Sequence, residues 1–215
     1  MIVIPLLIRV LGRGAPQARA DEAALAGLTP QHEDGLERVI VVGYGRVGQL
    51  VADLLQRHKL EFLAIDANAA LVARERARGT VIYYGDCTQA ELLRRCGIGT
   101  ARALVVTLDS PEAVESVVRA ARSERSDLTI VARARDAAHA SQLYDLKVTD
   151  AVPETIEASL QLSEAVLVDI GIPMGLVIAS IHEKRDEFRR MLQGPQDSER
   201  ERHAVRAPRS SIEDS

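Results

Sequence analysis

The segment Arg38-Val39-Ile40-Val41-Val42-Gly43-Tyr44-Gly45-Arg46-Val47-Gly48 constrains this chain more than any other. An apolar run stops at a loop of the form G-x-G-x-x-G, and Val47, Val51, Leu54 and Leu55 then recur at helical spacing. The pattern reads as strand, glycine turn, helix. Gly43 permits the tight turn, Gly45 lets a phosphate approach the backbone, and Gly48 lets the helix pack close to the strand. The start of the helix adds free N–H groups and the positive end of its dipole. A nucleotide phosphate suits such a loop.

Glycine spacing alone is a weak signal, so the residues beyond the loop decide its meaning. A second apolar strand, Glu61 to Ile65, ends in Asp66, near the offset of roughly 20 residues at which an acid accepts from an adenine ribose. Asp66 is therefore the expected ribose ligand. A carboxylate there repels a 2′-phosphate, and Ala67 and Asn68 stand where an NADP site wants an arginine. NAD(H) or an adenine mononucleotide is favoured over NADP.

The chain has 215 residues, 47% hydrophobic and 27% charged, enough for one domain of ordinary size with appendages. Tryptophan is absent, aromatics make up 3%, and the net charge is -4, which together argue against a nucleic-acid partner. Cys87 and Cys96 have neither metal-ligand nor C-x-x-C spacing and fit a reducing compartment. Cys87 is expected to be a small buried residue rather than a redox thiol. The apolar segment Met1 to Leu11 is shorter than the roughly 20 residues of a membrane span. Arg9 and Arg13 lie where cations mark the cytoplasmic end of a final transmembrane helix. Residues 12–37 read as a linker and 194–215 as a disordered tail.

Between these ends the strand-helix alternation continues. Helices are expected over Leu71–Arg78, Ala90–Cys96, Pro111–Arg122 and Ala137–Tyr144, with strands over Val81–Tyr84, Ala103–Thr107, Leu128–Ala132 and Ala151–Val152. Six strands alternating with helices make a doubly wound, Rossmann-like parallel sheet. Ligands of such sheets sit beyond the carboxyl ends of the strands where strand order reverses, which draws the glycine loop, Asp66, Gly85–Thr88 and Thr107–Asp109 toward one crevice. Asp86 is expected there either as a helix cap or as a ligand acceptor. From Glu154 two helices joined at Gly171-Ile172-Pro173 form a hairpin. Ile156, Leu160, Leu167, Val177, Ile178, Ile181, Phe188 and Leu192 exceed what one sheet face needs, so a homodimer through residues 154–193 is expected.

Taken together, the glycine loop, Asp66, Tyr84-Gly85-Asp86-Cys87-Thr88 and Ile130-Val131-Ala132-Arg133-Ala134-Arg135 resemble the RCK N-terminal (TrkA-N, or KTN) domain. The resemblance is strongest to the C-terminal region of Kef-type monovalent cation:proton antiporters. It covers residues 38–153, with 154–193 matching that family's crossover and dimerising helices. It implies a regulatory module on the cytoplasmic face of the inner membrane that binds NAD(H) or AMP/ATP beneath a transport domain. Carried across, the loop residues Gly43, Tyr44, Gly45, Arg46, Val47 and Gly48 would hold phosphate, and Asp66 with Ala67 the ribose side. Asp86 and Cys87 would line the adenine edge, Thr107 and Leu108 the far side, and Arg133 the pocket or subunit interface. Asp53 and Pro153 stand where glutathione-gated members carry arginines, so the resemblance does not extend to glutathione gating.

The rival expectation is a small NAD-dependent oxidoreductase, since the fold alone does not fix function. It needs an acid or base beside the nicotinamide. His32, His58, His139, His182 and His203 fall in linker, helix or tail, where each is expected to be a solvated surface residue.

Overall fold

The computed structural model describes residues 37–193. The expected membrane-helix end at Met1–Leu11, almost all of the linker, the charged tail, His32 and His203 lie outside the described residues. Among the described residues no helix is long and apolar enough to cross a membrane.

The strands are β1 (Val39–Val42), β2 (Phe62–Asp66), β3 (Ile82–Tyr84), β4 (Ala103–Val106), β5 (Ile130–Ala134) and β6 (Asp150–Pro153). The helices are α1 (Arg46–Arg57), α2 (Ala69–Ala77), α3 (Ala90–Arg95), α4 (Pro111–Glu124), α5 (Ala137–Asp145), α6 (Glu154–Asp169) and α7 (Met174–Gln193). The sheet order is β3-β2-β1-β4-β5-β6, so the doubly wound sheet expected from the sequence is the one formed. After β3 the chain returns to the far side of β1, making the β1–β4 boundary the point where strand order reverses. Val42 pairs in parallel with Ile65 and with Val106, which aligns three carboxyl ends.

The described chain forms two compact units, residues 37–108 with 116–130 and residues 109–115 with 131–193. In the first, every residue of β1 is buried, as are the first four of β2, the signature of strands covered on both faces. One face carries Val39, Val41, Phe62, Ala64 and Ile82 against Ala52 of α1 and Val72 of α2. Burying each larger aliphatic side chain contributes about 1.5–3 kcal/mol, so this face alone accounts for much of the unit's cohesion.

In the second unit, α6 and α7 pack on each other through Leu160, Val177 and Ile181, flanked by Ile156, Leu167 and Val168. The Arg185 guanidinium donates twice to Glu157 at 2.9 and 2.8 Å, tying the two helices together. Asp150 of β6 accepts from Arg189 of α7 at 2.9 Å and from the Tyr144 hydroxyl of α5 at 2.7 Å. Most of the residues that suggested a partner subunit are thus spent inside the hairpin. Of the residues that suggested a partner, Ile178 stays exposed, together with Leu162, Val166, Ile170, Ile172, Met174, Leu176 and Met191, which the sequence pattern did not single out.

Several strand boundaries differ from the sequence reading by one or two residues: β3 starts at Ile82 rather than Val81, β4 ends at Val106 rather than Thr107, and β5 runs on to Ala134 rather than Ala132. β5 starts at Ile130 rather than Leu128, whose buried side chain precedes the strand and whose carbonyl accepts from Arg122 at 2.6 Å. β6 extends one residue each way to Asp150 and Pro153, a proline tolerated because it ends a strand that pairs only with β5 in the sheet order.

Candidate functional site

In the first unit the carboxyl ends of β1 to β4 carry most of the residues singled out by the sequence. Gly43 comes directly after β1 at φ +87°, a left-handed conformation open to glycine and strained for any other residue here. Its N–H donates to the Ile65 carbonyl at 2.9 Å, so the turn starts from the β1–β2 ladder. Gly48 packs so close that a Cβ would stand 2.0 Å from the Gly43 carbonyl oxygen. A Cβ on Gly45 would meet nothing within 4 Å, leaving the outer side of the loop open for a group to approach the backbone.

Gly45 is the N-cap of α1 and supplies no side-chain partner to the first helical N–H groups, while Arg46 opens the helix as an exposed cation. Val47 is exposed beside it. Tyr44 turns inward: its ring is buried and stacks on Phe62 at 6.4 Å between centroids. Burial and the Glu75 charge push its hydroxyl upward, against a lowering by Thr80. Only its backbone is left to the loop, and Gln49 staples that backbone by donating to the Tyr44 carbonyl at 3.0 Å.

Asp66 closes the loop electrostatically. One carboxylate oxygen accepts the Tyr44 N–H at 2.7 Å and the other accepts the Asn68 N–H at 2.8 Å. An ionised carboxylate offers about four lone-pair sites, so two remain for hydroxyl donors. Ala67 is exposed next to it, and Asn68 caps α2 by accepting the Leu71 N–H at 3.1 Å. The helix thus begins at Ala69, two residues before the expected Leu71, and the signal for it was Asn68, since Asn before a helical pattern marks a start.

Asp86 is not the cap that was one of its two expected roles, because the N-cap of α3 is Gln89. It instead accepts the Thr88 hydroxyl at 2.7 Å and the Thr88 N–H at 2.9 Å, which hold its carboxyl below the usual range. Cys87 is buried, and burial pushes its thiol strongly upward, an inert state that matches a packing role. Thr107 bolts the strand-order reversal: its hydroxyl donates toward the Gly43 carbonyl at 2.8 Å and the Val42 carbonyl at 3.1 Å. Leu108 is next, its Cδ2 lying 3.0 Å from where a Gly43 Cβ would stand.

Arg133 lies on β5 in the second unit, where it donates to Glu154 at the start of α6 and to Asp109. These two carboxylates account for its raised basicity, Glu154 first, against a loss from burial. Of the histidines, His58 and His182 are exposed as expected, but His139 is not. It is 3% exposed, and its Nδ1 accepts the Arg135 N–H at 3.2 Å. The stripe His139, Ala140, Leu143, Tyr144 is the buried face of α5, so helical periodicity held the signal that it faces inward. Among the described residues no group of His, Cys, Asp and Glu could hold a metal ion.

The TrkA-N domain model matches residues 39–154, the span from β1 to the first residue of α6. A putative K(+) efflux antiporter, KefB, from Alkalimonas amylolytica is 33% identical over 177 residues, 82% of this chain and 26% of that protein. The chain therefore spans about a quarter of the length of that relative. A structure of the Shewanella denitrificans Kef CTD in AMP-bound form has a TM-score of 0.63 at 28% identity, covering 73% of this chain and 96% of that one. The TrkA-N domain of inner membrane protein ybaL from Escherichia coli has the same fold, with a TM-score of 0.58 at 23% identity over 60% of this chain and 96% of its own. The matched span 39–154 contains the glycine loop, the acid ending β2, the Gly-Asp-x-Thr turn and the segment 132–135, and the chain belongs to the TrkA-N domain family.

Proposed function

We propose that this chain is the nucleotide-sensing regulatory domain of a potassium (monovalent cation):proton antiporter. An adenine nucleotide, NAD(H) or AMP/ATP, would bind the glycine loop with its ribose on Asp66 and bias the conformation of the attached transport domain. The observation that carries this reading is the Asp66 carboxylate joined to the glycine loop through the Tyr44 N–H at 2.7 Å, with lone pairs to spare for a ribose diol. The likeness to the Kef CTD in AMP-bound form supports the ligand class, and the likeness to KefB supports the transport context. A ligand regulates only through different affinity for two states, so binding is necessary for this role and not sufficient.

The module would work as a homodimer on the cytoplasmic face of the inner membrane, and the exposed apolar side chains of α6 and α7 support a partner on the hairpin. It would catalyse no reaction itself. The likeness to the Kef CTD and to KefB supports a regulatory rather than a catalytic role.

Calorimetric titration of the chain tests the site. AMP or NADH is expected to bind, NADPH far more weakly, and Asp66→Ala to abolish that selectivity. Equal affinity for NADPH would remove the role given to Asp66, and sustained NADH turnover with carbonyl substrates would favour an enzyme.

A further inference from the structure

Helix α1 has an apolar flank that its own packing does not use. Gly48 and Ala52 are its buried positions, whereas Val47, Leu50 and Leu54 are 40%, 61% and 48% exposed. Their spacing of three and four residues puts them on one side of the helix. Arg46, four residues before Leu50, and Arg57, three after Leu54, edge the same side, and exposed Lys59 follows. The one acid of α1, Asp53, pairs with Arg57 at 2.8 Å. An apolar stripe edged by cations suits an acidic segment that carries apolar side chains of its own.

Such a segment lies just upstream in the same chain. Residues 20–37 include Asp21, Glu22, Glu33, Asp34 and Glu37 and contain no Lys or Arg. Within them Asp21, Ala24, Leu25 and Leu28 recur at helical spacing. The chain enters the sheet at Val39, whose N–H donates to the Glu61 carbonyl at 3.0 Å. It therefore arrives beside the loop that leaves α1, at the end where Leu54, Arg57 and Lys59 lie. Residues 29–38 span up to roughly 33–36 Å when extended, about twice the roughly 18 Å length of a helix like α1, so residues 20–28 reach all of it. Being tethered, they meet α1 at an effective concentration in the roughly millimolar range, which favours them over a second copy.

We propose that residues 20–28 dock along the exposed flank of α1, with Asp21 toward Arg46, Leu25 on Leu50 and Leu28 on Leu54. The glycine loop and the segment leading into the domain then share one helix. Disulfide trapping in the full chain tests the docking. Cysteines introduced by Leu25→Cys and Leu50→Cys are expected to join within one chain about tenfold or more faster than the pair Leu25→Cys with Val81→Cys. Val81 is 43% exposed and stands at the same end of the sheet, but off α1. The native Cys87 and Cys96 are buried and stay out of the reaction. Asp21→Lys with Glu22→Lys should slow the Leu25–Leu50 closure about fivefold. A second readout needs no cysteine: Leu50→Asp should speed cleavage after Glu22 by a glutamate-specific protease about fivefold and leave cleavage after Glu33 unchanged. Equal closure rates for the two cysteine pairs overturn the proposal, as does closure indifferent to the charge reversal or cleavage after Glu22 that Leu50→Asp does not change. Closure between two chains rather than within one hands the flank to a second copy and overturns it too. Neither readout involves a nucleotide, so failure here leaves the nucleotide reading untouched.

Discussion

The glycine loop and the α6–α7 hairpin are built to opposite rules. Around the loop nearly every position is fixed from within: Gly43 by its φ, Gly48 by contact with a carbonyl oxygen, Tyr44 by burial of its ring, Asp66 by two backbone donors. In the hairpin only Leu160, Val177 and Ile181 are buried, while Leu162, Ile170 and Leu176 remain 69%, 69% and 65% exposed. A tightly determined site is intolerant of small changes. A loosely committed hairpin leaves much of its apolar surface exposed.

The sharpest way to break the first half of that contrast is Gly48→Ala. The added Cβ would lie 2.0 Å from the Gly43 carbonyl oxygen and 3.0 Å from its carbon, backbone atoms that cannot move aside as a flexible side chain would. A loss of about 3 kcal/mol or more is expected in urea unfolding, at or above the upper end for overpacking. A cost below about 1 kcal/mol would show that the loop is far more compliant than its contacts imply.

Within the hairpin a paired comparison separates the inward face from the outward one. Ile181→Ala should cost about 2–4 kcal/mol because it empties a buried site. Ile170→Ser, at an exposed site, should change the unfolding free energy of dilute protein by no more than about 0.5 kcal/mol. The same serine should weaken self-association, read by light scattering across a concentration series. Equal costs at the two positions would erase the distinction between the faces.

Thr107→Val isolates the bolt between β1 and β4 with almost no change of volume. It leaves the Gly43 carbonyl without the hydroxyl donor at 2.8 Å, and about 1–2 kcal/mol is the expected cost.

These contrasts also explain what is legible in the sequence. The loop can be read because its determinants are local: glycine spacing, an apolar run, and an acid at a fixed offset. Asp66 closes a contact across 22 positions, yet the strand register that aligns it with the loop is itself dictated by two uninterrupted apolar runs. The β5 boundary is harder. Its burial alternates and half-buried Val131 and Arg133 sit between buried residues, so the arginines make the strand's end look like a loop. Arg133 is a strand residue because Glu154 and Asp109 neutralise it, and neither partner is visible from its neighbours in sequence. In the hairpin, helical periodicity shows two apolar helices but not how their side chains divide between inner and outer faces. That division depends on how α6 and α7 meet across the turn at Gly171, whose φ is +95°. Asp86 resembles a cap because Asp is common at caps, but the competing turn with Thr88, two residues on, is the local hydrogen bond that wins.

The smallest effect expected is a dependence on alkaline pH that belongs to the second unit. Burial, joined by the Asp150 carboxylate that accepts its hydroxyl proton, pushes Tyr144 up to about 12 from its ordinary 10, although the Ala151 N–H and Arg189 pull the other way. A folded-state value above the unfolded one means the phenol is held protonated by the fold. Its contribution is therefore complete below about pH 10 and is lost as pH rises toward 12. Tyr144→Phe deletes the donor to Asp150 and the acceptor of the Ala151 N–H, and about 1 kcal/mol should be lost near neutral pH. The stability gap between wild type and variant should then narrow as urea unfolding is repeated at higher pH above about 10, because only the wild type has a proton to lose there. Other alkaline groups, the Tyr44 phenol and the buried thiols included, are common to both proteins and cancel in the difference. A gap that stays constant across this range would mean that the Tyr144 hydroxyl donates no proton to Asp150 in the folded state, leaving that carboxylate to Arg189.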